Sequence, residues 1–139
     1  MQVLENTHAH TADQLIKALL EAVPDCQAIY RFGSWGGEAE RPGSDIDLAI
    51  LPNTPLDPIR RWDLAQRLAS LAGRDVDLVD LLTASTVMRM QVVGHGERLY
   101  FSDFFAVEQF DDSVFSAYAR LNEERKYILS DIHQRGSVF

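Results

Sequence analysis

The sequence predicts a mixed α/β domain, because short apolar segments with strand character alternate with segments of helical periodicity. The clearest strand segments are 27–32, 46–51 and 75–81. The chain has 139 residues, of which 46% are hydrophobic, so it is long enough to bury a sizeable core. We therefore expect a single domain over 1–139, while the order of strands in its sheet does not follow from the sequence.

The first predicted element is an amphipathic helix. Apolar residues recur at helical spacing over the segment 15–23. Thr11 and Asp13 are the two candidates for its N-cap, because their side-chain oxygens accept backbone N–H groups. Pro24 is expected to end the helix, since proline cannot continue its hydrogen-bond ladder.

Two strands and a connecting loop are predicted next. The segment 27–32 is a strand that leads directly into Gly33. The segment 34–44 is rich in glycine and charge, which predicts a loop or a short helix. The segment 46–51 is a buried strand that ends at Pro52.

Helices and strands continue to alternate in the second half of the chain. The segments 59–71 and 83–93 are predicted as helices, and 75–81 and 97–101 as strands, the latter at a sheet edge. The apolar face of the helix at 59–71 is predicted to carry Trp62, Leu64, Leu68 and Leu71.

A long C-terminal helix is predicted over 103–132. Its apolar residues do not form one clean stripe, so we expect a break near Asp111 and Asp112. Most of its aromatic residues are expected in the core, with one or two at an interface for a partner. These aromatic residues are Phe104, Phe105, Phe110, Phe115 and Tyr118.

Composition argues against several classes of protein. A formal net charge of −8 and a pI near 4.8 do not suit a protein that grips nucleic acid over a broad surface. The single cysteine, Cys26, cannot form an internal disulfide, and the histidines have no metal-binding spacing. No apolar run approaches ~18 residues, so we expect no membrane segment and a cytoplasmic protein.

The most informative motif is Gly33-Ser34, followed by ten residues and then Asp45-Ile46-Asp47 at the start of a buried strand. A Gly-Ser turn offers backbone N–H groups and a hydroxyl to a phosphate. Carboxylates at i and i+2 of a strand point the same way and can share divalent cations. An isolated Asp-x-Asp is more often a solvated turn and strand edge. The Gly-Ser turn directly after the preceding strand reverses that preference and predicts phosphoryl or nucleotidyl transfer.

Asp77 is the predicted third carboxylate, because it lies in the middle of an otherwise apolar strand, where aspartate is disfavoured. Asp75 shares its face and is the alternative. Asp80 points the other way and is expected to be structural or at the surface. Three carboxylates on adjacent strands can hold two Mg²⁺ ions, one activating the attacking hydroxyl and one binding the triphosphate.

Three nearby side chains have weaker predicted roles. Arg41 is a candidate for phosphate oxygens, with a solvated loop charge as an equal alternative. Ser44 is a candidate to cap or orient Asp45, and so to contribute to nucleotide binding. Trp35 beside the turn is expected to be a partly buried loop residue rather than a base-stacking one.

The pattern of Gly33-Ser34, Asp45-x-Asp47 and Asp77 resembles the DNA polymerase β nucleotidyltransferase superfamily. The short chain resembles its minimal nucleotidyltransferase branch, whose members are typically antitoxins encoded beside a HEPN-domain toxin. The resemblance covers most of the chain, up to the Gly-x-x-Leu-Tyr segment at 96–100.

This resemblance implies a fold, an activity and a partner. The fold is a mixed sheet flanked by helices, here with a long C-terminal helix. The activity is Mg²⁺-dependent transfer of AMP from ATP to a tyrosine hydroxyl of the HEPN ribonuclease, which silences the toxin. Asp45, Asp47 and Asp77 would be catalytic and metal-binding, while Gly33 and Ser34 would bind the nucleotide.

Two features separate this chain from the pattern. Relatives often carry arginines after Gly-Ser, where this chain has Trp35-Gly36-Gly37. The chain also lacks the extra acceptor domain of polymerases and antibiotic-modifying enzymes, which suits a macromolecular acceptor. Two alternatives stay open: an antitoxin that neutralises by occlusion alone, and a nucleotidyltransferase with a small-molecule acceptor.

Overall fold

The computed structural model describes residues 2–36, 40–41 and 43–135, and the side chains of these from residue 10 to residue 132. The described residues form helices that cover both faces of a four-stranded sheet. No helix among them combines the length and apolarity needed to cross a membrane. In chain order the elements are α1 (Gln2–Ala22), β1 (Ala28–Phe32), β2 (Ile46–Leu51), α2 (Pro58–Ala72), β3 (Val76–Asp80), α3 (Thr86–His95), β4 (Glu97–Phe101) and α4 (Phe104–Arg135).

The sheet is mixed, with strand order β3-β2-β1-β4. β1 is antiparallel to both β2 and β4, whereas β2 and β3 are parallel and are connected through α2. A parallel pair needs such a crossover, because its strands must run in the same direction. The predicted fold class, a mixed sheet flanked by helices with a long C-terminal helix, is confirmed.

Each face of the sheet carries its own hydrophobic core. Residues of α1 and α2, including Leu19 and Leu68, pack on one face around Ile46, Leu48 and Ile50 of β2. Residues of α3 and α4, including Val92 and Val107, pack on the other face around Ala49 and Leu51 of β2. β2 is therefore buried on both sides, as its continuous apolar run predicts. These core residues also establish that Asp47 projects on the side of α3 and α4.

The bounds of α2 and α3 coincide with capping residues in the sequence. The side chain of Asp57 accepts a hydrogen bond from the backbone N–H of Arg60 at the start of α2. Gly73 ends α2 with φ of +68°, a left-handed conformation suited to glycine. Ser85 caps α3 by accepting from the N–H of Met88.

The predicted start of the first helix is wrong. α1 begins at Gln2, so Thr11 and Asp13 lie within the helix and neither is its N-cap. The segment 2–10 contains no proline or glycine, and its residues are compatible with a helix. The prediction that the helix ends before Pro24 is confirmed.

The predicted break in the C-terminal helix is also wrong, because α4 runs from Phe104 to Arg135. Asp111 is buried and does not interrupt the helix. Its carboxylate accepts a hydrogen bond of 2.6 Å from the Tyr30 hydroxyl and another from Arg98. Sheet residues therefore satisfy the polar side chain that suggested a break.

Most aromatic side chains of α4 are not in the core, which contradicts the prediction. Phe104, Phe105 and Phe115 are exposed, whereas Phe110 and Tyr118 are half-buried. The buried stripe of α4 carries Val107, Asp111 and Val114 instead, at spacings of four and three residues.

Trp62 and Leu71 were likewise predicted on the apolar face of α2, but their exposed fractions are 63% and 52%. Leu64 and Leu68 are buried as predicted. Trp62 lies two residues from Leu64, which is roughly 200° around a helix, so it points away from the core.

Candidate active site

The parallel pairing of β2 and β3 brings together two of the predicted carboxylates. Asp47 of β2 lies directly opposite Asp77 of β3 in the register. Residues opposite each other in neighbouring strands project on the same face of a sheet. Asp45 immediately precedes Ile46, the first residue of β2, and is exposed, as is Asp77. The three aspartates thus form an acidic row along this end of the two strands.

Asp47, the central residue of the acidic row, lies in an electrostatically unfavourable environment. Asp47 is half-buried, and this burial is the largest cause that raises the pKa of its carboxyl group above the ordinary value. The nearby charges of Asp77 and Asp45 raise the pKa further, in that order. Both neighbours are therefore close enough to repel Asp47, so the row favours a positively charged ligand.

Gly33 lies against the opposite side of Asp47 from Asp77. Its φ of +71° is left-handed, and a Cβ at this position would overlap the Oδ2 atom of Asp47. Phe32, the last residue of β1, pairs with Asp47 in the antiparallel register. The glycine turn therefore directly adjoins the acidic row, and Ser34 follows it with a half-buried side chain.

Trp35 anchors the turn from within the protein. Its side chain is 2% exposed and belongs to the core between the sheet and α1. Its carbonyl oxygen accepts a 2.9 Å hydrogen bond from Arg31. The interpretation of Trp35 as a loop residue rather than a base-stacking one is confirmed, and the side chain is more deeply buried than predicted. Gly37, the last residue of the unusual loop sequence, lies outside the described residues.

Ser44 shapes the backbone just before Asp45. Its hydroxyl donates to the carbonyl oxygen of Arg41 at 2.7 Å and accepts from the N–H of Arg41 at 3.0 Å. These bonds close a turn, so the hydroxyl of Ser44 has a local role and forms its hydrogen bonds with Arg41. Arg41 is exposed. Nucleotide binding by Arg41 and Ser44 stays a prediction.

Arg74 is not among the predicted site residues, but its side chain holds the same turn in place. Its Nε atom donates to the carbonyl oxygen of Ser44 at 2.9 Å, and its Nη1 atom forms a 3.0 Å ion pair with Glu40. The residue directly precedes Asp75 at the start of β3. Arg74 therefore ties the loop before β2 to β3, which holds Asp45 beside Asp77.

The other two aspartates of the β3 region have different environments. Asp75 is exposed, and its backbone carbonyl accepts from Ile46. Asp80 is 1% exposed, and its carboxylate accepts from the N–H groups of Leu56 and Leu82. The prediction that Asp80 is structural is confirmed.

The acidic row suits a metal that arrives with its nucleotide. Within the described ranges, no group of three or more histidine, cysteine, aspartate or glutamate side chains is arranged to enclose a metal ion. Mg²⁺ seldom requires such a cage, because it keeps several waters and is usually bound by one or two carboxylates plus substrate phosphates. An open set of carboxylate oxygens beside the glycine turn meets that requirement. The raised pKa of Asp47 supports the same conclusion, since a cation would relieve the repulsion.

Sequence comparison agrees with this geometry. The profile of the family described as "Polymerase beta, Nucleotidyltransferase" matches residues 14–104, which include the glycine turn and all three aspartates. The chain belongs to this family. The family resemblance inferred from the sequence is thereby confirmed, and with it the class of nucleotidyltransferases.

One curated relative is close enough to compare over most of its length. The chain is 43% identical over 125 residues to the protein adenylyltransferase MntA of Shewanella oneidensis, covering 86% of each protein. The name of that relative states its activity: it transfers an adenylyl group to a protein.

Solved structures of similar chains agree with this family assignment. One is a chain from the tri-AMPylated Shewanella oneidensis HEPN toxin in complex with MNT antitoxin, with a TM-score of 0.77 and 41% identity. It covers 91% of this chain and 98% of that one. Another is a chain from a toxin–antitoxin structure with AMP-PNP, an ATP analogue, with a TM-score of 0.79 and 43% identity over 88% and 98% of the two chains.

Proposed function

We propose that this protein is a Mg²⁺-dependent protein adenylyltransferase that acts as an antitoxin. It transfers AMP from ATP to a tyrosine hydroxyl of a HEPN-domain ribonuclease toxin, with which it forms a complex. The observation that carries the proposal is the register of Asp47 with Asp77 beside the left-handed turn at Gly33. The relative named protein adenylyltransferase and the complexes of antitoxin with AMPylated toxin support the acceptor and the partner. The protein acts in the cytoplasm, where its substrate ATP is available.

The reaction requires one bond to form and one to break. The acceptor oxygen bonds to the α-phosphorus of ATP while the bond from that phosphorus to the bridging oxygen breaks. Diphosphate leaves with the electron pair of that bond, and the proton of the acceptor hydroxyl passes to the exposed carboxylate of Asp77. Bound Mg²⁺ ions neutralise charge on the phosphates and acidify the hydroxyl.

Each part of the acidic site has a proposed task. Asp45, Asp47 and Asp77 would hold the metal ions, which would offset the repulsion that raises the pKa of Asp47. Gly33 lets the backbone approach the triphosphate closely, and Ser34 offers its hydroxyl. Arg41 is free to turn toward the phosphates because its side chain is exposed. Ser44 keeps the turn before Asp45 in shape.

The decisive experiment measures transfer of labelled AMP from ATP to the HEPN-domain protein encoded by the neighbouring gene. Asp47→Asn removes a metal ligand and keeps the size of the side chain, so the rate should fall at least about 10³-fold. Chelation of Mg²⁺ by EDTA should abolish transfer by the unaltered protein. Asp112→Asn is the matched control, because Asp112 is exposed on α4, and it should retain full activity.

Absence of labelled partner with the unaltered protein, ATP, Mg²⁺ and a folded HEPN protein would contradict the proposal. Neutralisation by occlusion alone is the main alternative, because the solved relatives are antitoxins seated on their toxins. An Asp45→Asn, Asp47→Asn double variant separates the two. Loss of rescue from toxicity at equal expression supports chemistry, whereas full rescue supports occlusion. A small-molecule acceptor has less support, since the 43% identical relative is named for a protein acceptor.

A further inference from the structure

A groove of about 460 Å³ lies between α2 and the edge of β3 and opens onto the acidic row. Its lining includes Asp45 and Asp77 of that row, together with Arg61 and Trp62 of α2. Five consecutive residues, 75–79, line it, so the groove follows the strand rather than one of its faces. This volume lies within the ~300–1,000 Å³ of typical ligand sites.

The edge of β3 is open to another strand. β3 is the terminal strand of the sheet formed by the described residues. At the two ends of its pairing with β2, the carbonyl of Asp75 accepts from Ile46 and the N–H of Leu81 donates to Ile50. Odd-numbered residues of β3 therefore direct their backbone groups toward β2, and the groups of Val76 and Leu78 face outward. Extended peptides bind at such edges through backbone hydrogen bonds.

The position of the glycine turn indicates which substrate uses this side. The strand order β3-β2-β1 places Gly33, at the end of β1, and Asp77, on β3, on opposite sides of Asp47. Phosphoryl transfer requires the attacking and leaving oxygens to lie roughly in line through the phosphorus. If the diphosphate leaving group is held on the Gly33 side, the attacking hydroxyl approaches from the Asp77 side. The groove is on that side.

Two residues that line the groove, Trp62 and Arg61, are available to bind a partner. Trp62 is 63% exposed although it is a large aromatic residue, and Arg61 makes no side-chain hydrogen bond or ion pair with any described residue. Tryptophan and arginine are enriched among residues that dominate binding energy in interfaces. An aromatic ring packs favourably against the indole of Trp62, and the Arg61 guanidinium can donate to backbone carbonyls or carboxylates.

We infer that the groove between α2 and β3 binds the acceptor segment of the partner protein. The segment lies extended along the edge of β3, with its tyrosine hydroxyl toward Asp77 on one face of the sheet and a neighbouring side chain against Trp62 on the other face. Trp62 is then a residue that selects the acceptor and takes no part in holding ATP. This inference rests on the proposed adenylyltransferase function and adds the site at which its protein substrate is recognised.

The test separates acceptor recognition from nucleotide binding. For Trp62→Ala, the KM for the HEPN-domain partner should rise about tenfold or more, because a large aromatic contact is lost. Binding of AMP-PNP with Mg²⁺, measured by titration calorimetry, should stay unchanged. Trp62→Phe should restore most of the affinity for the partner. Ile59→Ala is the matched control, since Ile59 is 71% exposed on the same helix and does not line the groove.

Each outcome has a distinct meaning. An unchanged KM for the partner would overturn the inference and leave the proposed function intact, because the unaltered protein would still transfer AMP. Weaker AMP-PNP binding by Trp62→Ala would also overturn it, since Trp62 would then serve the nucleotide. No transfer by the unaltered protein would remove the proposed function and this inference together.

A cross-linking measurement gives an independent answer. A photoreactive benzoylphenylalanine in place of Trp62 should capture the partner peptide that contains the AMP-modified tyrosine, as identified by mass spectrometry. The same group in place of Ile59 should not capture that peptide. Capture of a different partner segment from position 62 would contradict the inference.

Discussion

The acidic row of Asp45, Asp47 and Asp77 contrasts with a second cluster of ionisable groups, formed by Tyr30, Arg98 and Asp111 with Glu108. Both lie on the face of the sheet that α3 and α4 cover. In the second cluster each charge has a partner: Asp111 accepts from Tyr30 and Arg98, and Arg98 also forms an ion pair with Glu108 at 2.6 Å. In the row, three like charges lie close together.

This difference separates polar groups that stabilise the fold from polar groups left for a ligand. Burial and the hydrogen bond to Asp111 raise the pKa of Tyr30, so its hydroxyl stays protonated and continues to donate. In the acidic row, burial and then the neighbouring carboxylates of Asp77 and Asp45 raise the pKa of Asp47, so its negative charge is disfavoured there. Paired charges attach α4 to β1 and β4, whereas the row of like charges is suited to a cation and its phosphates.

The largest expected effect on stability comes from breaking the paired cluster. Asp111→Ala leaves the Tyr30 hydroxyl without its acceptor and removes one of the two carboxylates bonded to Arg98. We expect the free energy of unfolding in urea to fall by about 3 kcal/mol. Asp112→Ala, at the exposed neighbouring position, should change it by no more than about 0.5 kcal/mol. Equal losses in the two variants would show that the cluster does not stabilise the fold.

The next test compares two left-handed glycines. Gly33→Ala and Gly73→Ala should each cost about 1–2 kcal/mol of stability, because φ is +71° at Gly33 and +68° at Gly73. A Cβ at Gly73 has nothing within 4 Å, whereas one at Gly33 would overlap the Asp47 carboxylate. Only Gly33→Ala should therefore lower the rate of AMP transfer, by about 10²-fold, as the carboxylate is displaced.

Rates measured for both variants at a temperature where each is fully folded would test this directly. Similar transfer rates for the two variants would mean that the contact between Gly33 and Asp47 has no catalytic consequence.

The smallest effect concerns the charge of Asp47 itself. A raised pKa means that the folded state binds the proton more tightly, so this group lowers stability as pH rises from its ordinary pKa of 3.8 through the raised value. Asp47→Asn should therefore be more stable than the unaltered protein at neutral pH without metal, by on the order of 0.5 kcal/mol, because solvent screens a partly exposed carboxylate. The advantage should vanish in acid. Chemical unfolding at several pH values gives the difference, and a less stable variant at neutral pH would contradict the interpretation.

Local sequence patterns were sufficient for most of the fold. The predicted bounds of β2 equal the observed ones, because a continuous apolar run marks the strand. Those of α2 are correct to within one residue at each end, because Pro58 and Gly73 mark its ends.

The errors arose where a side chain's environment depends on distant residues. Asp111 suggested a helix break only because its partners Tyr30 and Arg98 are remote in sequence. Trp62 is hydrophobic enough to suggest a core position, but its helical phase relative to Leu64 directs it to solvent.

The sequence by itself determined the chemical identity of the candidate site. The glycine after β1, the ten-residue spacing and the two aspartates at the start of β2 are local features, so they can be recognised without knowing the fold. The tertiary structure decided which groups meet. The register that sets Asp77 opposite Asp47 depends on how α2 packs across the sheet between two parallel strands, which no local pattern specifies. The groove at the edge of β3 arises from the same packing, since that packing leaves Trp62 and Arg61 beside the acidic row.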